Sequence, residues 1–265
     1  MRFAKVESIG NDFVLMEGPL ADPSAIALKT SSRRWSIGSD GLLVIERPVD
    51  NIVPLRMFNP DGTEDFCGNG LRCAALYAHR QGWVEDEFII RHLGQDVRVE
   101  SDGEFATTYL APASFAPARV PTTAESELWQ APVDGVIVSS LTTGTTHTVL
   151  LVDELPDEAT VARLGEYLEH HPLFPERTSV IWARGSGSVL DIRIWERGAG
   201  ETLGCGTGSS AAAVVWARLH DLRDVQIQVN NPGGTVVAAM RDWQSEIALS
   251  GRAHIVFEGN WDEFA

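Results

Sequence analysis

Residues 196–210 read ERGAGETLGCGTGSS, and residues 59–73 read NPDGTEDFCGNGLRC. Each stretch sets a cysteine, Cys205 or Cys67, in a glycine turn, and the small-residue pattern that follows predicts a helix. At a helix N-terminus the free backbone N–H groups and the helix dipole favour an anion, either a thiolate or a bound carboxylate. A thiol with the reference pKa of ~8.5 is only about 3% ionised at pH 7, and lowering it by one unit gives roughly a quarter. One thiolate and one thiol on opposite faces of a carbon are a base and an acid. One removes a proton, the other returns it from the far side, and the centre inverts. If that carbon carries a carboxylate, negative charge builds there. The amides of Gly68 and Asn69, and of Gly206 and Thr207, are placed to receive it, an oxyanion contribution of about 3–4 kcal/mol per donor. The scheme needs no cofactor, and the chain carries no cofactor signature.

The two cysteines head matching runs of predicted elements. Ile89 stands 22 positions after Cys67 in a predicted strand, followed by a turn at Leu93-Gly94-Gln95 and the strand Val97–Val99. Ile227 stands 22 positions after Cys205 in another, followed by a turn at Asn231–Gly234 and the strand Val236-Val237. A long internal period with one order of elements argues for two halves of one architecture, able to clamp a small anionic molecule between two thiols.

Other elements fit around this frame. A helix is predicted over Asp22–Ser32, a buried strand over Leu42–Ile45, and a strand over Val53–Phe58 that delivers Asn59 to the loop before Cys67. Leu71, Ala74, Ala75 and Ala78 fall on one helical face, with Cys73 a small buried hydrophobe beside them. In the second half, Glu158–Glu169 is amphipathic, Thr178–Ala183 and Val189–Trp195 form a hairpin, and Ala211–Ala217 is apolar almost all round. Ala111–Pro121 carries three prolines and no periodicity, which makes it the linker. The expected domains are 1–112, carrying Cys67, and 113–265, carrying Cys205, with a tail from about 253 to 265 packing back on the first. The fold class is α/β of the α+β type. Each half is a curved, mostly antiparallel sheet wrapped about one buried helix.

Composition narrows the functions. With 265 residues, 44% of them apolar, the chain has room for two domains. Its net charge of −16 offers no basic stripe, which excludes nucleic acid and acidic membranes as partners. No apolar run approaches the ~20 residues of a membrane span, and MRFAKVESIGNDF is not a signal peptide. Three cysteines make no disulfide framework and lack zinc-site spacing, so a reducing cytoplasm and no metal are expected.

Several residues keep two readings at this level. Asn11, at a Gly-Asn-Asp turn, serves the turn or a ligand. His147 is a structural histidine or a partner of the thiols. Glu201, four residues before Cys205, is a solvated carboxylate or tunes the thiol. Arg197 clamps a substrate carboxylate with its planar fork or pairs with a protein acid. Competing functions are a phosphate loop at Gly204–Gly208, a non-catalytic small-ligand binding module, and covalent catalysis by one cysteine. The first lacks the Lys-Ser/Thr ending and the dinucleotide glycine spacing. The other two do not require matched cysteines.

Taken together, GNDF at 10–13, Asp61-Gly62 and CGNG at 67–70, the Pro-rich linker, His147, ERGAGET-x-x-CGTG at 196–208 and Asn231–Gly234 resemble the diaminopimelate epimerases. These are cofactor-independent two-thiol enzymes of lysine and peptidoglycan precursor synthesis. The resemblance spans essentially the whole chain. It implies two pseudo-symmetric domains with the site in the cleft between them, and a homodimer. It makes Cys67 and Cys205 the acid–base pair, with Gly68, Asn69, Gly206 and Thr207 binding the reacting carboxylate. Asn11, Asn59, Glu196 and Arg197 then contact the rest of an amino-acid substrate, and His147 and Glu201 support the thiols. Three positions depart from the family pattern. Gly41 stands for Gln, Thr145-Thr146 for Asn-Pro before the histidine, and Ser179 for Asn. They belong to recognition of the substrate's far end, so a racemase for another L-amino acid, such as histidine, is the alternative to diaminopimelate.

Overall fold

Two units form along the chain, and each runs through the same order of pairings. The computed structural model describes residues 1–262. One unit comprises Met1–Tyr109 with the residues from Ser250 on, and the other comprises Leu110–Leu249.

The first unit contains β1 (Arg2–Ser8), β2 (Asn11–Glu17), α1 (Pro23–Thr30), β3 (Gly41–Ile45), β4 (Ile52–Phe58), α2 (Gly68–Arg80), β5 (Glu87–His92), β6 (Gln95–Ser101) and β7 (Phe105–Leu110). The second contains β8 (Ala131–Val133), β9 (Val136–Thr142), β10 (Thr146–Leu151), α3 (Glu158–Glu169), β11 (Ser179–Ser186), β12 (Val189–Glu196), β13 (Gly200–Thr202), α4 (Gly206–Leu219), β14 (Val225–Asn231) and β15 (Gly234–Met240). The chain then passes through β16 (Ile247–Arg252) to β17 (His254–Asn260), which pairs antiparallel with β1. The final residues, 263–265, of the tail expected to pack on the first half lie outside the described residues.

The repeat is visible in the ladders. In the first unit β1 and β2 form an antiparallel hairpin, α1 crosses to β3 parallel to β2, β4 returns antiparallel, α2 crosses to β5 parallel to β4, and β6 returns antiparallel. In the second, β9–β10, α3, β11, β12, α4, β14 and β15 repeat those steps with the same senses. Parallel pairing requires a crossover, and α1, α2, α3 and α4 are those crossovers. The sheets are mostly antiparallel, as expected, with a parallel step at each helix.

Burial explains why the Cys-headed helices are central. α2 packs on β1, β2, β3, β4, β6 and β17, and Leu71, Cys73, Ala74, Ala75, Leu76 and Ala78 are fully buried with Leu43, Val53 and Ile90 in one core. α4 packs on β9, β10, β11, β12, β14 and β15, and its alanines and valines from Ala211 to Val215 are fully buried. Small side chains allow strands to close on every side of a helix, and apolar atoms removed from water on all faces stabilise the arrangement. α1 starts one residue later than expected because Asp22 is its N-cap, accepting from the Ala25 N–H at 3.0 Å. Among the described residues no helix is long and apolar enough to cross a membrane.

Candidate active site

Cys67 is the N-cap of α2 and Cys205 the N-cap of α4, and the two have nearly the same backbone conformation, φ −137° and ψ 113° against φ −130° and ψ 118°. In each, the sulfur accepts the third helical N–H, from Gly70 or Gly208, at 3.4 Å. The next two positions, Gly68-Asn69 and Gly206-Thr207, carry first-turn amides with no intrahelical acceptor. The third position is glycine for a steric reason. A Cβ at Gly70 would stand 2.9 Å from Leu43 Cδ2, and one at Gly208 would stand 2.6 Å from Ile194 Cδ1.

Around Cys67, Asn11 Oδ1 accepts from the thiol at 3.7 Å and from Asn69 Nδ2 at 3.3 Å. Asn11 Nδ2 donates to Asp40 at 2.8 Å, which fixes the amide's orientation. Asp40 is held by Arg33, which also binds Asp12 at 2.6 Å. Burial opposes ionisation of Asp12, but Arg33 and Lys5 prevail and hold its carboxyl at about 2. Asn69 Oδ1 accepts from the fully buried Arg72, whose Nε donates to Ser8 Oγ at 3.1 Å. Arg72, Asp40 and Arg33 were not singled out from the sequence. Asp40 meets Asn11 across 29 positions and Arg72 meets Ser8 across 64, and no local pattern announces these contacts. Asn59 is not brought to this cluster. It lies in the β4–α2 loop, where its Nδ2 donates to Thr63 Oγ1 at 3.1 Å.

Around Cys205, the backbone N–H donates to Asn231 Oδ1 at 3.4 Å, which ties the cap to the β14–β15 turn. Burial pushes the Cys205 thiol well above its ordinary pKa, and the charge of Glu196 pushes it further. The Thr207 hydroxyl, 3.4 Å from the sulfur, and the Gly208 amide pull the other way. Glu196 also accepts from Thr202 Oγ1.

Glu201, expected beside the thiol, is instead an exposed residue paired with Arg193 at 2.6 Å, and the carboxylate that acts on Cys205 is Glu196. Strand alternation gives the reason. β13 pairs Trp195 with Glu201 and Ile194 with Thr202, so Glu201 shares a face with Arg193. Glu196 shares the other face with Ile194, the residue that packs on Gly208. Counting by two from Ile194 along β12 would have found it.

His147 is the second residue of β10 and is 1% exposed. Its Nε2 lies 2.9 Å from Thr145 Oγ1. Burial, with a contribution from the Arg197 charge, drives the imidazole pKa down to about 3, so the ring is neutral. Arg197 Nη1 donates to the Glu176 carbonyl at 3.1 Å, and among the described residues no carboxylate pairs with that guanidinium. Ser179 Oγ accepts from the Arg197 N–H at 3.1 Å. Glu169, which the sequence reading passed over, accepts from Trp195 Nε1 at 2.7 Å, Gly198 N at 2.8 Å and Arg177 at 3.0 Å. It anchors the Arg197 loop while 3% exposed. Glu169→Leu leaves the Trp195 and Gly198 N–H groups unpaired and is expected to lower stability by about 2–4 kcal/mol, read as a fall in the thermal midpoint, with Glu169→Gln intermediate. A midpoint unchanged in Glu169→Leu would show the anchor to be idle.

At the three positions that depart from the family pattern the space is already taken. A Cβ at Gly41 would stand 2.6 Å from the Phe58 carbonyl oxygen, so no side chain fits there without a backbone shift. The Thr145 hydroxyl is engaged with His147 and Thr207, and that of Ser179 with Arg197. Among the described residues no three His, Cys, Asp or Glu side chains gather as a metal site.

A model of the diaminopimelate epimerase family matches residues 3–115 and 139–256. The chain belongs to that family. It is therefore an isomerase. A diaminopimelate epimerase from Desulforudis audaxviator is 33% identical, with 98% of this chain and 99% of the relative covered. One from Thioalkalivibrio sulfidiphilus is 35% identical, with 99% of each covered. Solved structures share the two-domain fold at low identity. A predicted epimerase of Pseudomonas aeruginosa has a TM-score of 0.71 at 16% identity, with 98% of each chain covered. A hydroxyproline epimerase from Agrobacterium vitis has a TM-score of 0.66 at 14% identity, covering 98% of this chain and 90% of that one.

Proposed function

We propose that this diaminopimelate epimerase family member inverts the α-carbon of an amino acid by two-thiol acid–base chemistry, without pyridoxal phosphate or metal. The observation that carries the reading is the duplicated cap. Two cysteines, each at a helix N-terminus and each with its sulfur on the third helical amide, suit two chemically matched proton carriers. Burial and Glu196 keep Cys205 a thiol in the free chain, which makes it the acid and Cys67 the base in the direction that starts from this state. The first-turn amides of Gly68, Asn69, Gly206 and Thr207 receive the charge that builds on the reacting carboxylate. Asn11, Asn59, Glu196 and Arg197 contact the remainder, and the fork of Arg197, which has no carboxylate partner among the described residues, suits a second carboxylate.

LL- or meso-diaminopimelate, an intermediate of lysine and peptidoglycan precursor synthesis, is the lead substrate, and a homodimer in a reducing cytoplasm completes the proposal. The three altered positions favour a second reading. With Gly41 closed by the Phe58 carbonyl and the Thr145 and Ser179 hydroxyls engaged inside the protein, two or three far-end contacts are missing. At about 1 kcal/mol or more each, their loss weakens a diaminopimelate-type substrate by about fivefold or more apiece. A racemase for another L-amino acid, such as histidine, is therefore the alternative.

One experiment tests both. The reduced protein is incubated in deuterated water with LL-diaminopimelate, ornithine and the twenty standard amino acids, and α-deuterium and stereochemistry are read by mass spectrometry and chiral chromatography. Deuterium with inversion in diaminopimelate is the expected result. A monocarboxylic amino acid turned over at much higher kcat/KM would replace the lead substrate. Exchange in none of them would leave a non-catalytic binding module.

A further inference from the structure

Thr145 Oγ1 stands 2.9 Å from His147 Nε2 and 3.3 Å from Thr207 Oγ1, and Thr207 Oγ1 stands 3.4 Å from Cys205 Sγ. Three consecutive hydrogen-bond distances thus run from a buried imidazole to the sulfur. We propose that Thr145 is a positioning residue whose hydroxyl couples His147 to Thr207 and so orients the Thr207 hydroxyl as a donor to Cys205. The inference rests on the acid–base role proposed above for Cys205, and it concerns how that role is tuned.

The direction of the chain follows from the histidine. Nδ1 of His147 is buried and has no hydrogen-bond partner among the described residues. A buried N–H without an acceptor is costlier than a bare lone pair of an acceptor atom, so the single ring proton of the neutral imidazole sits on Nε2. Nε2 then donates to Thr145 Oγ1. A hydroxyl that accepts there turns its own hydrogen outward, and the acceptor within reach is Thr207 Oγ1. Thr207 is left to turn its hydrogen to the sulfur. Each link polarises the next. A second contact holds the middle of the chain in place, because Thr143 Oγ1 donates to the Thr207 carbonyl at 2.9 Å.

The charged and titrating groups that bear on this end of the site are Glu196, which acts on Cys205 to favour the thiol, and Arg197, which acts on His147 to favour the neutral ring. The chain opposes Glu196. Once Cys205 has given its proton to the substrate carbon, the chain supplies a hydroxyl hydrogen to the resulting thiolate, where Glu196 supplies only repulsion. The residue at 145 therefore serves the sulfur here, whereas the resemblance assigns that position to recognition of the substrate's far end.

The test reads the thiol itself and needs no substrate. Below its pKa a cysteine is alkylated in proportion to its thiolate fraction. Iodoacetamide labelling of the full chain is followed at several pH values on the Cys205 peptide, with the Cys67 peptide of the same sample as internal reference. Thr145→Val, similar in shape but without the hydroxyl, is expected to slow Cys205 labelling about 3- to 10-fold across the range, a pKa rise of about half a unit to one, and to leave Cys67 unchanged. Thr145→Ser restores the wild-type rate. In a His147→Gln background, Thr145→Val adds little further slowing, because the two residues act through one chain. Unchanged Cys205 labelling in Thr145→Val, an equal fall at Cys67, a Thr145→Ser variant as slow as Thr145→Val, or full additivity with His147→Gln would each overturn the proposal. Absence of deuterium exchange with any amino acid would instead sink the epimerase reading, and the labelling result would stand apart from it.

Discussion

Alanine at either Cys67 or Cys205 is expected to lower kcat/KM for inversion by about 10²- to 10⁴-fold, or about 3–5 kcal/mol of transition-state stabilisation. Each variant removes the proton carrier for one face and leaves the other intact, so the two losses should be similar despite the different surroundings of the sulfurs. The cap hydrogen bonds from Gly70 and Gly208 are lost as well, but a sulfur acceptor is weak, and the effect on stability is expected to stay below about 1 kcal/mol. Serine separates the two roles. It keeps an acceptor for the third amide yet is far too weak an acid, so Cys67→Ser and Cys205→Ser should fold like the wild type and remain as inactive as the alanine variants. Cys73→Ala is the control. Cys73 is fully buried within α2, and burial raises its pKa well above the ordinary value, so its loss costs packing and leaves turnover largely intact. Wild-type turnover in either alanine variant would remove that cysteine from the mechanism.

A second large effect is expected with pH, from His147. Burial, then the Arg197 charge, lowers its folded-state pKa to about 3, while the unfolded chain keeps the reference value of about 6.5. Between those values the unfolded state binds a proton that the folded state refuses, so stability rises with pH through this window and falls on acidification. The penalty is nearly absent at pH 7. By pH 4 it reaches about 3 kcal/mol, within a full span of roughly 4–5 kcal/mol. Carboxylates also titrate there, Asp12 among them, whose folded pKa of about 2 gives stability that is lost as pH falls below its unfolded value. Those contributions are common to wild type and His147→Gln. Subtracting the two urea-unfolding free energies at each pH therefore isolates the histidine, and the difference should grow in favour of the variant from pH 6.5 downward. Parallel curves would mean that the ring is protonated in the folded chain.

The parts of the site that lie within one turn of each other in sequence were legible without a structure. Cys-Gly-x-Gly before a small-residue helix places a cysteine in a glycine turn at a helix N-terminus, because only local backbone geometry and small side chains are involved. The helices at 158–169 and around Cys67 and Cys205 were legible for the same reason, since a 3.6-residue apolar period is a local property. The repeat was legible because like elements follow at like distances, although the parallel steps that define its topology depend on which strands meet across the helices.

What surrounds each sulfur was decided by the ladders. Glu201 is close to Cys205 in sequence, but the β12–β13 register turns it to the face of Arg193 and turns Glu196 to the sulfur. Asn11 reaches Cys67 across 56 positions, and Thr145 reaches Thr207 across 62. Glu169 and Gly198 meet across 29. Glu169 has the composition of a solvated helix end until α3 packs on β12 and buries it under Trp195. The sequence by itself determined that two cysteines would head two buried helices, since backbone sterics and apolar period are carried by neighbouring residues. Only the tertiary structure decided which polar groups each thiol meets, because strand register and helix packing bring together side chains that share no local pattern.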